Sequence, residues 1–165
     1  MYLIKRFLFI IIFCVVIFSL TGCSSKKPEI ITIVELNNIT EDEFRYIKNL
    51  NISNAKWEDY RKLIINVKII DSKKAFERII IIPNLFLIDQ YDRIRSIRGN
   101  THELNNIKKE NTAFSMADII FDCRELSIED IKNIYKDAYI YVRYKINNNT
   151  IEKNISIGEQ ITIQY

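Results

Sequence analysis

The sequence predicts a mainly β domain built from two packed sheets, and three observations carry that reading. Short isoleucine-rich segments recur along the chain, and the clearest of them alternate apolar and polar residues with the period of a half-buried strand. Turn-forming runs such as Asp71-Ser72-Lys73 and Asn147-Asn148-Asn149 separate them. Only two segments carry helix start signals, and both are short.

Taken in order, Ile30 to Leu36 is a first strand, rich in isoleucine and threonine. Thr40-Glu41-Asp42-Glu43 has the capping-box form, with Thr40 able to cap and Glu43 able to bond back, so a helix begins there. Phe44 and Ile47 form its apolar face, and the acidic first turn suits the positive end of the helix dipole. Lys62 to Ile70 alternates cleanly. Leu63, Ile65, Val67 and Ile69 point one way, while Lys62, Asn66 and Lys68 point the other. Ala75 to Ile82 is the next strand, its Ile79–Ile82 run suggesting burial on both faces, and the two strands are expected to form a hairpin.

Leu85 to Ile88 and Tyr91 to Arg98 are further short strand candidates, with Arg93, Arg95 and Arg98 on one face and Gly99-Asn100 as a stop. Thr101 to Asn111 is the most polar stretch and reads as an exposed loop. Thr112 to Cys123 is a strand. Ser127-Ile128-Glu129-Asp130 opens a second helix, in which Leu126 and Ile131 have staple spacing. Tyr139 to Ile146 is the plainest strand of all, Ile140, Val142, Tyr144 and Ile146 alternating with Tyr139, Tyr141, Arg143 and Lys145. Thr150 to Ile157 returns, Gly158-Glu159 breaks it, and Ile161 to Tyr165 ends the chain.

The short helix before the Tyr139 strand resembles a crossover between the sheets of immunoglobulin-like domains. The expected fold is therefore a single immunoglobulin-like β-sandwich with one or two short helices. The alternative is an α+β domain whose helices pack on one face of a single antiparallel sheet.

The chain of 165 residues opens with a different kind of segment. Lys5 and Arg6 form a basic start, and Phe7 to Leu20 is an apolar run broken only by Ser19. Leu20-Thr21-Gly22-Cys23 follows, small residues leading to a cysteine. A basic end, a short apolar middle and a small-residue cleavage site make a secretory signal. Those last four residues resemble the lipobox of bacterial lipoproteins. The resemblance implies a diacylglyceryl group on the Cys23 sulfur and cleavage between Gly22 and Cys23. It divides the chain into a removed signal peptide (1–22), a lipidated tether (23–29) and one extracytoplasmic β-rich domain (30–165). The expected location is the outer face of the cell membrane. An outer-membrane lipid anchor, or an uncleaved transmembrane anchor, is the alternative, although a spanning helix needs roughly 20 apolar residues. Two acyl chains hold a protein firmly where one holds it marginally.

Loss of Lys5 and Arg6 lowers the formal charge from +3 to +1, so no electrostatic case exists for nucleic-acid binding. Of three cysteines, Cys14 leaves with the signal and Cys23 carries lipid, so Cys123 stands alone and packing must replace disulfides. The single histidine, His102, has Glu103 beside it but no nucleophile in a recognisable setting. Too few His and Cys residues remain for a zinc site, and no acidic run has the spacing of a calcium loop. Two glycines in the mature part make no phosphate loop. The sequence thus implies no metal and no cofactor.

Tyr139, Tyr141 and Arg143 share the strand face opposite Ile140 and Val142, and exposed Tyr and Arg favour binding surfaces. Trp57 and Tyr60, just before a strand, read as plugs at the end of the core. The expected function is a membrane-anchored, non-catalytic interaction module of the cell envelope, with an envelope protein as partner. The alternatives are a small envelope enzyme with dispersed carboxylates, or a ligand-binding lipoprotein.

Overall fold

A computed structural model describes residues 27–50, 52, 54–71, 75–104 and 112–164. The expected signal segment and the whole of Leu20–Cys23 lie outside these residues. The strands are β1 (Glu29–Asn38), β2 (Tyr60–Ile70), β3 (Ala75–Ile81), β4 (Ser96–Leu104), β5 (Ala113–Asp122), β6 (Tyr139–Ile146), β7 (Asn149–Ser156) and β8 (Ile161–Gln164). The helices are α1 (Glu41–Asn49), α2 (Ile128–Ile134) and the single turn α3 (Ile157–Gln160), with 3₁₀ turns at Trp57–Asp59 and Leu85–Gln90.

The domain is mainly β, in two sheets. The larger has the order β4-β5-β2-β1-β8, and the smaller has β3-β6-β7. All pairs are antiparallel except β1 with β8. The alternation read from β2 holds: Leu63, Ile65, Val67 and Ile69 are fully buried. They join Val34 and Leu36 of β1 and Ile119 and Phe121 of β5 on one side of the core, with Ile80, Ile140 and Val142 of the smaller sheet on the other. At 25 cal/mol per Å², burying each such side chain contributes about 1.5–3 kcal/mol, so this shared core holds the sheets together.

Both capping boxes form. Thr40 accepts the Glu43 N–H at 3.3 Å and Glu43 accepts the Thr40 N–H at 2.8 Å. Ser127 and Asp130 repeat the exchange at 3.1 and 2.8 Å. The α1 staple is also present, Ile39 and Phe44 burying with Ile47, Tyr60 and Ile120 on the outer face of the larger sheet. Tyr60 is therefore buried under α1 and is not the plug at the end of the core between the sheets that the sequence implied, and Trp57 is 36% exposed beside Phe44. The helices do not share a single sheet, as the α+β alternative requires: α1 lies on the larger sheet, while α2 packs into the core between the sheets.

Several local readings are corrected. β2 and β3 do not form a hairpin, because the chain changes sheets between Asp71 and Ala75 and β3 pairs with β6. The Ile79–Ile82 run is not buried on both faces. Ile80 is 1% exposed and Ile81 52%, since the smaller sheet turns only one face to the core. Leu85–Ile88 is a 3₁₀ turn and not a strand, opened by Asn84, whose side-chain oxygen accepts the Phe86 N–H at 2.9 Å. Gly99-Asn100 does not stop a strand but lies inside β4, which carries Thr101–Leu104 out of the expected loop. A β-carbon at Gly99 would stand 3.2 Å from the Phe86 ring, so the glycine serves a close approach and not a break. Residues 105–111, the rest of that loop, lie outside the described residues.

β1 starts at the end of the sandwich where Ile70 and Ala113 also lie, and the Tyr144 hydroxyl reaches the Pro28 carbonyl there at 3.5 Å. This is the end at which β1 begins. Tyr60, Asp122, Ser96 and α2 mark the far end.

Candidate functional site

The pairing of β6 with its two neighbours sets out the site row by row. Tyr141 lies between Ile81 and Asn154, Arg143 between Ile79 and Glu152, and Lys145 between Phe76 and Thr150. Because side chains of directly paired residues share a face, these rows form the outer face of the smaller sheet. Tyr139 (50% exposed), Ile81 (52%) and Phe76 (45%) are its exposed large apolar members. Tyr139, Tyr141 and Arg143 are therefore on one solvent-facing surface, as the alternation implied. Ile81 and Phe76 enlarge it, and reading the isoleucine run as buried on both faces hid the first of them.

Charge fixes the polar part of this face. Arg143 Nε stands 3.6 Å from Glu152 Oε1, and Lys145 pairs with Glu77 across the bulge of β3. Glu77 adopts the left-handed region there, with φ of 50°. Partial burial raises the Tyr141 phenol above its ordinary value, and the Glu152 carboxylate raises it further against the opposing pull of Arg143. The phenol is thus a neutral donor and acceptor at physiological pH. The face offers aromatic and aliphatic surface interleaved with fixed hydrogen-bonding groups, which suits recognition.

The far end carries a second built feature. Arg95, 1% exposed, donates from Nε and Nη2 to both oxygens of Asp92 at 2.6 Å. Its Nη1 donates to the carbonyls of Asp122 at 3.1 Å and Arg124 at 2.9 Å. Asp89 accepts the N–H groups of Arg95 and Ser96 at 2.7 Å each and the Ser96 hydroxyl at 2.6 Å. Arg124 clamps Asp122, and Arg93 donates to Glu125 at 3.0 Å. Burial pushes the Asp89 carboxyl up, but the bonds from Ser96 and Arg95 outweigh it and hold it below its usual value. The Arg95 bonds hold Asp92 low directly. Arg93, Arg95 and Arg98 do not line one face as expected, because the strand begins only at Ser96 and Arg95 turns inward. No periodicity signals an inward arginine, since its partners come from segments far apart in the chain.

The remaining candidates do not assemble. His102 sits on the outer face of the larger sheet, its ring 5.4 Å from that of Phe114. Cys123 follows β5 at the far end, with Sγ 3.7 Å from the Glu58 carbonyl. His102 pairs with Met116, seven residues back along the strand direction, or roughly 23 Å at 3.3 Å per residue. Burial raises the Cys123 thiol, against the lowering effect of Arg61, so it stays protonated. Among the described residues no group of three or more His, Cys, Asp or Glu is placed to hold a metal ion. Glu129 and Glu159 share a groove of about 220 Å³ with Lys132 and Lys136, between α2 and α3. No described helix is long and apolar enough to cross a membrane.

No family, curated protein or solved structure matches this chain.

Proposed function

We infer that this protein is a lipoprotein tethered through Cys23 to the outer face of a bacterial membrane, where it binds another envelope protein without catalysing a reaction. The anchor rests on the lipobox-like Leu20-Thr21-Gly22-Cys23 behind its apolar run. The binding role rests on one observation: Tyr139, Tyr141 and Arg143 share an open sheet face with Ile81 and Phe76. Large aliphatic and aromatic groups around a fixed Arg–Glu pair match the centre of a protein interface better than a small-molecule site, which is concave.

The finer fold reading is an immunoglobulin-like sandwich. What supports it is strand order. β4-β5-β2-β1 over β3-β6-β7 follows the four-plus-three arrangement of that fold, and α2 makes the crossover into the sixth strand. The parallel β8 is an addition at the β1 edge.

Metabolic labelling with a fatty-acid analogue tests the anchor: the wild-type chain takes the label and Cys23→Ala does not. A photo-crosslinker at Tyr139 in intact cells tests the face. The expected result is a discrete adduct with one envelope protein. Purified, that protein should bind the chain about tenfold more weakly after Arg143→Ala or Tyr141→Ala. Equal binding by both variants would sink the interface. A second reading, an envelope enzyme, rests on the groove shared by Glu129 and Glu159. Turnover of a cell-wall polymer that Glu129→Gln and Glu159→Gln abolish would establish it.

A further inference from the structure

α1 divides the outer face of the larger sheet in two. It covers the half around Lys62 and Ile120, where Phe44 and Ile47 bury and Lys62 pairs with Glu43 at 2.7 Å. The other half lies toward the start of β1 and carries no described helix. Leu104, Phe114, Lys68 and Ile31 form one row across it, and Met116 and Ile33 share the next. Ile33 is 42% exposed and Leu104 37%, with Ile31, Phe114 and Met116 half-buried beside them. Lys68 stands between Ile31 and Phe114, where its stem can lie on apolar surface while the ammonium stays in water. Glu29 and Glu35 bound the patch along β1. A contiguous apolar patch with a polar rim marks a contact surface.

We propose that this half-face is the surface on which the domain rests against the bilayer that holds Cys23. The inference rests on the lipid anchor and adds to it a contact surface and an orientation. Glu29 follows Cys23 by six residues, a reach of about 20 Å at 3.3–3.6 Å per residue. Ile31 and Ile33 follow Glu29 on the same strand face, roughly 7 and 13 Å further at 3.3 Å per residue. The tether therefore leaves from the rim of the patch itself. It makes the contact with lipid intramolecular, so a shallow contact is enough. Ile31, Ile33 and Leu104 need only reach the boundary of headgroups and acyl chains, a depth at which Glu29 and Glu35 can stay hydrated. The described turn at the same end, Asn147-Asn148, is polar and offers no competing apolar surface. The outer face of the smaller sheet looks the opposite way. Resting on the larger sheet thus turns Tyr139, Tyr141 and Arg143 away from the lipid, where a protein partner can reach them.

The test places a photo-crosslinking residue at Ile33, Leu104 or Tyr139 of the full chain in a bacterial envelope and reads lipid adducts by mass spectrometry. Ile33 and Leu104 should each give at least about tenfold more lipid adduct than Tyr139, which both sheets hold away from the roughly 5–10 Å deep interface. Ile33→Asp should lose most of the lipid adduct formed from Leu104, with its melting temperature unchanged because Ile33 is exposed. Adducts from Ile33 and Leu104 with a protein or a second copy in place of lipid would overturn the proposal. Equal lipid adducts from all three positions, or an Ile33→Asp chain that still crosslinks fully, would do the same. Fatty-acid labelling of the same cells keeps the two readings apart. A labelled chain without lipid adducts at Ile33 refutes this orientation and leaves the anchor standing, while a chain that takes no label refutes both.

Discussion

Arg95 and Asp89 show how much one residue can decide. The Arg95 guanidinium is buried and makes four hydrogen bonds to Asp92 and two carbonyls, so replacing it removes all four at once and leaves the Asp122 carbonyl without its side-chain donor. A hydrogen bond from a charged group contributes about 1.5–3 kcal/mol, and two of these four end on carbonyls. Arg95→Met should therefore lower the melting temperature by about 10 °C, measured by circular dichroism. Arg93→Met is the control. Its partners Asp92 and Glu125 are open to solvent, so its melting temperature should barely move. Neither effect is legible in the sequence. Asp92-Arg93-Ile94-Arg95 reads as a polar strand with its arginines outward, because burying an arginine pays only when carbonyls of other segments converge on it. Arg78, 2% exposed in β3, is a second arginine whose burial the strand pattern does not signal.

At the scale of elements, local chemistry was legible where it is local. Thr40/Glu43 and Ser127/Asp130 cap the two longer helices as their spacing implied, since a capping box closes within four residues. The third helical turn shows the opposite. Gly158-Glu159 reads as a break between strands, yet Gly158 lies inside α3, against the backbone of α2's end. Its N–H donates to the Tyr135 carbonyl at 3.0 Å. A β-carbon there would fall 2.2 Å from the Lys132 carbonyl oxygen and 2.8 Å from the Lys136 nitrogen. Backbone cannot swing aside as a side chain can. Gly158→Ala should thus cost about 1–3 kcal/mol, read as a lower denaturation midpoint. If the midpoint holds, the helices are not packed this tightly. The turn at Leu85–Gln90 was misread because Leu85 and Ile88 are three apart, a spacing too short to distinguish strand from 3₁₀ turn.

For the molecule as a whole, carboxylates set the acid limit. Glu43, Asp89 and Asp122 all have burial raising their carboxyls and hydrogen bonds lowering them more, from Lys62 and Thr40, from Ser96 and Arg95, and from Arg124 respectively. Groups held below their unfolded values add stability that is complete above those values and is lost as pH falls through the lower folded ones. Stability should be level from neutrality to about pH 5 and decline below it. The alkaline side behaves in reverse. Burial and the nearby Asp89 raise the Tyr135 phenol, whose hydroxyl donates to the Leu85 carbonyl at 2.6 Å. Its contribution is complete below about pH 10 and lost above. A pH series of thermal melts checks both limbs, and an acid limb beginning near neutrality would contradict the carboxylate account.

What the sequence determined by itself was everything a short stretch of chain can express. The period-2 runs set which faces of β2 and β6 turn inward, the caps placed α1 and α2, and the residues before Cys23 carried the anchor reading. They also put Tyr139, Tyr141 and Arg143 on one face, since alternation within a single strand needs no neighbour. Tertiary structure alone decided that β3 leaves β2 for the other sheet, that Ile81 and Phe76 complete the open face, and that Arg95 turns inward. Those outcomes depend on contacts between residues distant in the chain, whose energies no local pattern records.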